Sequence, residues 1–297
     1  MDNGIVVLDK PPNMTSAQAV ARVKRILQAR KIGHAGTLDP FATGILICCV
    51  NQATRLARFL LHGKKRYLAE LYLGVVTDTQ DGTGRVTAVG STADITDRQV
   101  RSTLQHFTGC QWQKPPIYSA LKHRGVPLYR YARNGRPVEK PARRICIESI
   151  EIRSLALPRV QFELTCTAGT YVRTLCADVG EALGCGGHLA SLRRLASSGF
   201  ELKEAFGLEQ LERQAERDRR SVMLPMTEAL REMPGIDVDN ALTNAIKHGR
   251  MITAETVPGL RDIPDGPIKA LDPNGRLVAV IDYHSSRRQL KYYCVFD

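Results

Sequence analysis

Gly33-His34-Ala35-Gly36-Thr37-Leu38-Asp39-Pro40-Phe41-Ala42-Thr43-Gly44 surrounds a single acid with three glycines and a proline, and an apolar run from Ile45 to Val50 follows at once. Glycine permits backbone conformations and close approaches that a side chain forbids, and Pro40 biases Asp39 toward extended backbone. A shaped loop between core elements is a common carrier of chemistry. Asp39 also has an ordinary explanation, because an Asp before Pro in a Gly-rich loop satisfies turn amides. Spacing alone leaves catalysis and turn formation open.

Upstream of this loop, residues 4–8 read as a short buried strand, stopped by Pro11-Pro12-Asn13. Thr15 and Gln18 then have the spacing of a capping box. The helix they start runs to about Ala29, with Val20, Val23, Ile26 and Leu27 on one face. Arg22, Lys24, Arg25, Arg30 and Lys31 lie elsewhere, as a solvated face.

Downstream, residues 67–76 are β-rich and lead into Asp78-Thr79-Gln80-Asp81-Gly82-Thr83-Gly84. That loop superficially has the spacing of a calcium site but lacks the downstream Glu, so no metal is expected. Val160, Phe162, Leu164 and Cys166 alternate with Gln161, Glu163 and Thr165, the period of a strand with one buried face. Val172, Leu175, Cys176, Val179 and Leu183 mark one face of a helix closing at Gly184. Tyr171 and Arg173 therefore fall at a strand-to-helix junction. The charge-dense residues 212–220, then Leu224-Pro225 and Pro234-Gly235, read as a helix end and linker. A second unit begins near Ile236, with a helix over 241–247, strands near 268–271, 277–283 and 290–296, and a turn at Asp272-Pro273-Asn274-Gly275. The expected domains are 1–232 and a small β-rich unit over 236–297.

The whole chain has 297 residues and a formal charge of +12, from 42 Lys and Arg against 30 Asp and Glu, which favours a polyanionic partner. Residues 113–144 carry nine of those cations and one acid, Glu139, interleaved with Tyr118, Tyr129 and Tyr131. Cations for phosphates and flat rings for unstacked bases suit RNA. The eight cysteines have no C-x-x-C spacing, so neither zinc nor a disulfide is expected, and all read as reduced core residues of a cytoplasmic protein. Ile5 to Leu8 is too short for a secretory signal, and no apolar stretch is long enough to span a membrane. There is no GxxxxGK[ST] or HExxH sequence and no clear GxGxxG turn.

The loop quoted first closely resembles the catalytic loop of the TruB family of tRNA pseudouridine synthases. LDKPPNMTS, KRYLAEL with VVTDTQDGTG, QKPPIYSALKHRGVPLYRYARNGRPVE, CTAGTYVRTLCADVGEALGCGGHL and SLRRLASSGF resemble further blocks of that family, in its order. The resemblance covers roughly residues 4–200 and departs at Ala35, where the family often has Thr. It implies an α+β fold: a pseudouridine synthase domain with a mixed, largely antiparallel central sheet flanked by helices and loops, plus a small C-terminal PUA-like domain. It implies isomerisation of a uridine in the T-stem loop of tRNA, at position 55, with no metal, redox or nucleotide cofactor.

Carried over by position, Asp39 matches the catalytic aspartate, and Arg173 the arginine that pairs with it and keeps its pKa low. Tyr67 matches the ring stacked on the target base. Tyr171 matches a second pocket tyrosine and Leu192 an apolar lid. His34 matches the residue that fills the place of a flipped base, and Lys10 one near the floor of the site. The basic residues 113–144 resemble a thumb that closes over the RNA. A non-catalytic RNA-binding module or tRNA-folding chaperone is the main alternative, and a synthase acting on guide-bound RNA a weaker one. A monomer is expected, since no apolar heptad or interface helix is evident.

Overall fold

The computed structural model describes residues 2–250, 252–253, 257, 260, 263–286 and 290–296. Strands β1 (Gly4–Lys10), β2 (Ile32–His34), β3 (Thr43–Val50) and β4 (Lys65–Leu73) open the chain, with helices α1 (Ser16–Leu27) and α2 (Ala57–Leu61) between them. A hairpin of β5 (Val75–Thr77) and β6 (Val86–Val89), helix α3 (Asp97–His106) and strand β7 (Gly109–Gln113) follow. The basic segment holds β8 (Lys122–His123), β9 (Val126–Pro127) and α4 (Leu128–Arg133). Strands β10 (Arg143–Ala156) and β11 (Arg159–Cys166), helix α5 (Val172–Ala182), strands β12 (Gly187–Ser197) and β13 (Phe200–Glu201), and helix α6 (Leu208–Arg217) complete the larger unit. Then come β14 (Gly235–Asp237), α7 (Asn240–Lys247), β15 (Gly266–Leu271), β16 (Leu277–Tyr283) and β17 (Lys291–Val295).

The larger sheet has nine strands, ordered β1-β3-β12-β4-β11-β10-β7, with β13 on β12 and β2 on β3. Every pairing in it is antiparallel except β12 with β3. This is the mixed, largely antiparallel sheet that the family resemblance implies. Burial explains its two textures. In β4 buried and half-buried residues alternate strictly, because one face packs and the other is wet. In β3 the run Ile45–Val50 is apolar throughout because both faces are covered. Leu46 and Cys48 pack toward α1 and α6, while Ile45, Ile47 and Cys49 face Leu56, Leu60 and Phe200.

Helix α1 starts as its sequence predicts: Thr15 caps it, the capping box with Gln18 is complete, and Ala19, Val20, Val23 and Leu27 are buried. Such a cap contributes about 1 kcal/mol. The helix whose end the charge-dense residues 212–220 mark is the amphipathic α6, which buries Leu208, Leu211 and Ala215 and stops at Arg217. The described residues after 235 form a separate sheet, β14-β15-β16-β17. It has its own core around Ile268, Val278 and Ile281, and through Leu277, Val280, Cys294 and Phe296 it shares a core with Ile5 and Ile47.

The cysteine reading needs one correction. Cys110 and Cys146 form a disulfide, and Cys110 is exposed. They stand directly opposite on β7 and β10, with the whole basic segment looped out between them. Cys48, Cys49, Cys166, Cys176, Cys185 and Cys294 are free and buried. No helix among the described residues is long and apolar enough to cross a membrane.

Candidate active site

The loop over residues 33–44 owes its shape to buried polar groups beneath it. Ser16 at the start of α1 accepts from Leu38 N at 2.8 Å and donates to Leu38 O at 3.0 Å. Lys10, wholly buried at the end of β1, donates from Nζ to Pro11 O, Met14 O and Pro40 O at 2.8, 2.7 and 3.2 Å. Arg194, also buried, donates from Nε to Ile45 O at 2.7 Å and from Nη2 to Gly36 O at 3.1 Å. Gly44 lets β3 touch β12: its φ is +99°, and a Cβ there would lie 2.3 Å from the Arg194 carbonyl oxygen. Only glycine tolerates both conditions.

Held this way, Asp39 faces Arg173 at the start of α5. Arg173 Nε lies 3.0 Å from Asp39 Oδ2, and Nη2 donates to Oδ1 at 3.4 Å. Arg173 is itself gripped on its other side. Its Nη1 donates to Asp81 Oδ2 at 3.2 Å and Thr79 O at 3.0 Å, and Nη2 donates to Tyr118 O at 2.7 Å. Asp81 is fixed in turn by the Thr79 hydroxyl at 2.8 Å, the Thr83 hydroxyl at 2.6 Å and Thr83 N at 3.0 Å, all donating to Oδ1. The polar loop 78–84, which carries a faint look of a calcium site, is thus a socket for an arginine.

Two carboxylates share one guanidinium, and that affects Asp39. Burial pushes its carboxyl above the usual range, Arg173 opposes the rise, Asp81 adds to it and Lys10 counters it. The pairing does not leave the pKa low, as the resemblance implies, because burial and the second carboxylate together outweigh the arginine. Asp39 and Asp81 differ in access: the Asp39 side chain is 33% exposed and that of Asp81 5%, so only Asp39 is open to a ligand. Burial brings Lys10 down to about 8, with Arg194 adding to the fall and Asp39 opposing it.

Asp39 and Arg173 line a cavity of about 360 Å³ together with Tyr67, Tyr171, Leu192 and Arg194. Tyr67 is buried on β4; burial raises its hydroxyl pKa, and a hydrogen-bonded Arg194 opposes that. Tyr171 is clamped by Gln113, whose Oε1 accepts from Tyr171 N at 2.8 Å and whose Nε2 donates to Tyr171 O at 3.0 Å. The Arg143 guanidinium lies over the Tyr171 ring, 4.8 Å from its centre, and donates to Gly169 O. An acid, a fixed cation, two phenol rings and a leucine side chain make a place for a flat polar ring beside a carboxylate.

Five of the seven expected residues meet here: Asp39, Tyr67, Tyr171, Arg173 and Leu192. His34 does not line the cavity. It sits on β2, where burial and Arg194 lower its pKa, and its Nδ1 has no hydrogen-bond partner among the described residues. Lys10, expected near the floor of the site, lies under the loop with its ammonium bonded to three carbonyls, that of Pro40 next to Asp39 among them. Asp81, Arg194, Ser16 and Arg143 are the residues that sequence reasoning missed. Asp81 and Arg194 stand within the quoted blocks, but their contacts arise only in the fold.

The chain matches the family model described as TruB family pseudouridylate synthase (N terminal domain) over residues 24–172, and that of the tRNA pseudouridylate synthase B C-terminal domain over 173–231. It is 42% identical over 285 residues to the tRNA pseudouridine synthase B of Syntrophotalea carbinolica, covering 96% of this chain and 93% of the relative. It is 41% identical to that of Geobacter sulfurreducens over 303 residues, 99% and 100% of the two chains. Its fold is similar to a chain in the crystal structure of a Cbf5-Nop10-Gar1 complex, with a TM-score of 0.76 and 25% identity over 98% of this chain and 85% of that one.

Proposed function

Because the chain belongs to the TruB family of pseudouridylate synthases, we propose that it converts uridine 55 in the T-loop of tRNA to pseudouridine, with Asp39 as the acting carboxylate. The observation that carries this reading is the partly open Asp39 held against a buried Arg173 that Asp81 anchors from behind. Substrate and product are isomers. The C1'–N1 bond breaks, the uracil turns in the pocket, C5 bonds to C1', the C5 proton leaves to water, and N1 takes up a proton in its place. The balance therefore calls for no redox partner or nucleotide cofactor. Whether the carboxylate attacks C1', adds to the ring or takes the C2' proton, it acts ionised, and Arg173 supplies the charge that favours that form.

A uridine inside a folded loop reaches this cavity only by flipping out, at a cost of a few kcal/mol. Stacking on Tyr67 and Tyr171 offsets part of that, at about 1 to 3 kcal/mol per base. Leu192 closes the pocket, His34 fills the vacated place in the RNA, and the basic segment 113–144 closes over the stem-loop. The protein works as a monomer in the cytoplasm, and Arg173 keeps the carboxylate in place between turnovers.

The test is tritium release to water from tRNA transcript labelled at uridine C5, with RNA binding measured in parallel for wild type and Asp39→Asn. Release by the wild type, a loss on the order of 10⁴-fold in the variant and equal binding by both are expected. Tight binding with no release by the wild type would instead leave an RNA-binding module. The variant should fold, because burial raises the Asp39 pKa and ionising this group costs the folded state stability.

A further inference from the structure

The sole tryptophan of the chain, Trp112, is 72% exposed on β7. β7 is the terminal strand of the nine-stranded sheet, paired on one side only by β10. Directly across from Trp112 stands Arg144, also exposed, which makes no hydrogen bond, ion pair or ring contact with any described residue. The next pair along the two strands is Gln113 and Arg143, which clamp and stack on Tyr171 at the pocket rim. The pair on the other side of Trp112 and Arg144 is Gln111 and Ile145, and beyond it the disulfide Cys110–Cys146 locks the two strands together. Since side chains alternate between faces, Trp112, Arg144 and the disulfide share the face opposite Gln113 and Ile145.

We infer that Trp112 and Arg144 form a second RNA contact outside the uridine pocket, Arg144 taking a backbone phosphate and Trp112 a base or ribose face beside it. The inference rests on RNA being the substrate, as proposed above. A tryptophan buries 150–250 Å² when covered, and exposed Trp–Arg pairs have the composition of binding hot spots. The strand pair is fixed by backbone bonds and a disulfide, so neither side chain must be ordered from a mobile loop. The charge nearby favours a polyanion over a protein. Glu139, the one acid in residues 113–144, is tied to Lys114 at 2.7 Å, and Glu148, further along β10, to Lys64 at 2.8 Å. Arg144 is left with an unopposed charge. This surface begins one residue pair along the strands from Gln113 and Arg143 and on the opposite face, so an RNA that reaches both wraps around the sheet edge that β7 forms.

Because Trp112 is the only tryptophan, its emission reads this surface directly. The full chain is titrated with unmodified tRNA transcript and with the isolated T-arm stem-loop, following Trp112 emission and its access to acrylamide, while tritium release is measured on the same samples. Saturable quenching and protection are expected. Trp112→Ala should raise KM about tenfold with kcat held, and Trp112→Tyr should restore most of it. Arg144→Ala should weaken RNA binding and reduce its salt slope by about 1. Tritium release at saturating tRNA with Trp112 emission and acrylamide access unchanged would overturn the inference. So would an emission change that follows protein concentration without RNA, which assigns the surface to a second copy of the chain. Trp112 protected by RNA with no tritium released would remove the proposed reaction and leave this surface standing.

Discussion

The loop over residues 33–44 and the basic segment over 113–144 meet at Arg173, which binds Asp39 from one and Tyr118 O from the other, yet they are held in opposite ways. Beneath the loop lie Lys10, Ser16 and Arg194, each buried and each bonded to its backbone. The basic segment is fixed at its ends, by Gln113 on Tyr171 and by Arg143 on Gly169, and between them has a hairpin of two two-residue strands and a six-residue helix anchored by Leu128. A reacting carboxylate gains from fixed geometry and fixed dipoles. A surface that grips a large, irregular RNA gains from adjustable cations, whose energies are individually small. The difference matches the roles proposed for the two regions, chemistry for the loop and grip for the segment.

Substitutions beneath the loop should therefore cost rate or fold, and those in the segment should cost affinity. Arg173→Lys keeps the charge but loses the fork that spans two carboxylates, and kcat for tritium release should fall roughly 10²- to 10³-fold. Gly44→Ala forces a Cβ onto the β12 backbone at positive φ, and a urea melt should report a loss of roughly 3 kcal/mol. In the segment, Arg130→Ala with Arg133→Ala should raise KM a few-fold, leave kcat unchanged and flatten the salt dependence of binding by about 2. The smallest effect is on the free protein. Limited digestion with proteinase K, which cuts after most apolar residues and so can attack both regions, should cleave between Arg124 and Arg136 before it cleaves within residues 33–44, and tRNA should suppress the first cut. Equal cleavage of both regions, or a kcat loss from the segment variants, would break the contrast.

The loop was legible because its motif is contiguous, and β4, β11 and α5 because periodicity is a local property. The continuous apolar run in β3 was readable as core, and its two covered faces explain why it does not alternate. What stayed hidden is what the fold brings together. Asp81 meets Arg173 across 92 positions. Cys110 meets Cys146 across 36, a bond that antiparallel register creates and that no spacing announces. The parallel contact of β12 with β3, which makes Gly44 obligatory, is likewise non-local. The Asp39 pKa differs from what the resemblance implies for the same reason: the resemblance pairs an arginine with the acid, while the burial and the second carboxylate appear only in three dimensions.

The measurement that tests this account most directly is the pH dependence of single-turnover tritium release by wild type and Arg173→Lys. Burial holds the Asp39 pKa above the ordinary carboxylate range, and the neutral acid is inactive, so the rate should fall as pH drops through that raised value. Arg173 is the main influence opposing the rise, so weakening its grip should carry the acid limb to still higher pH. An acid limb in the ordinary carboxylate range, unmoved in the variant, would contradict the claim that an ionised Asp39 held by Arg173 performs the reaction.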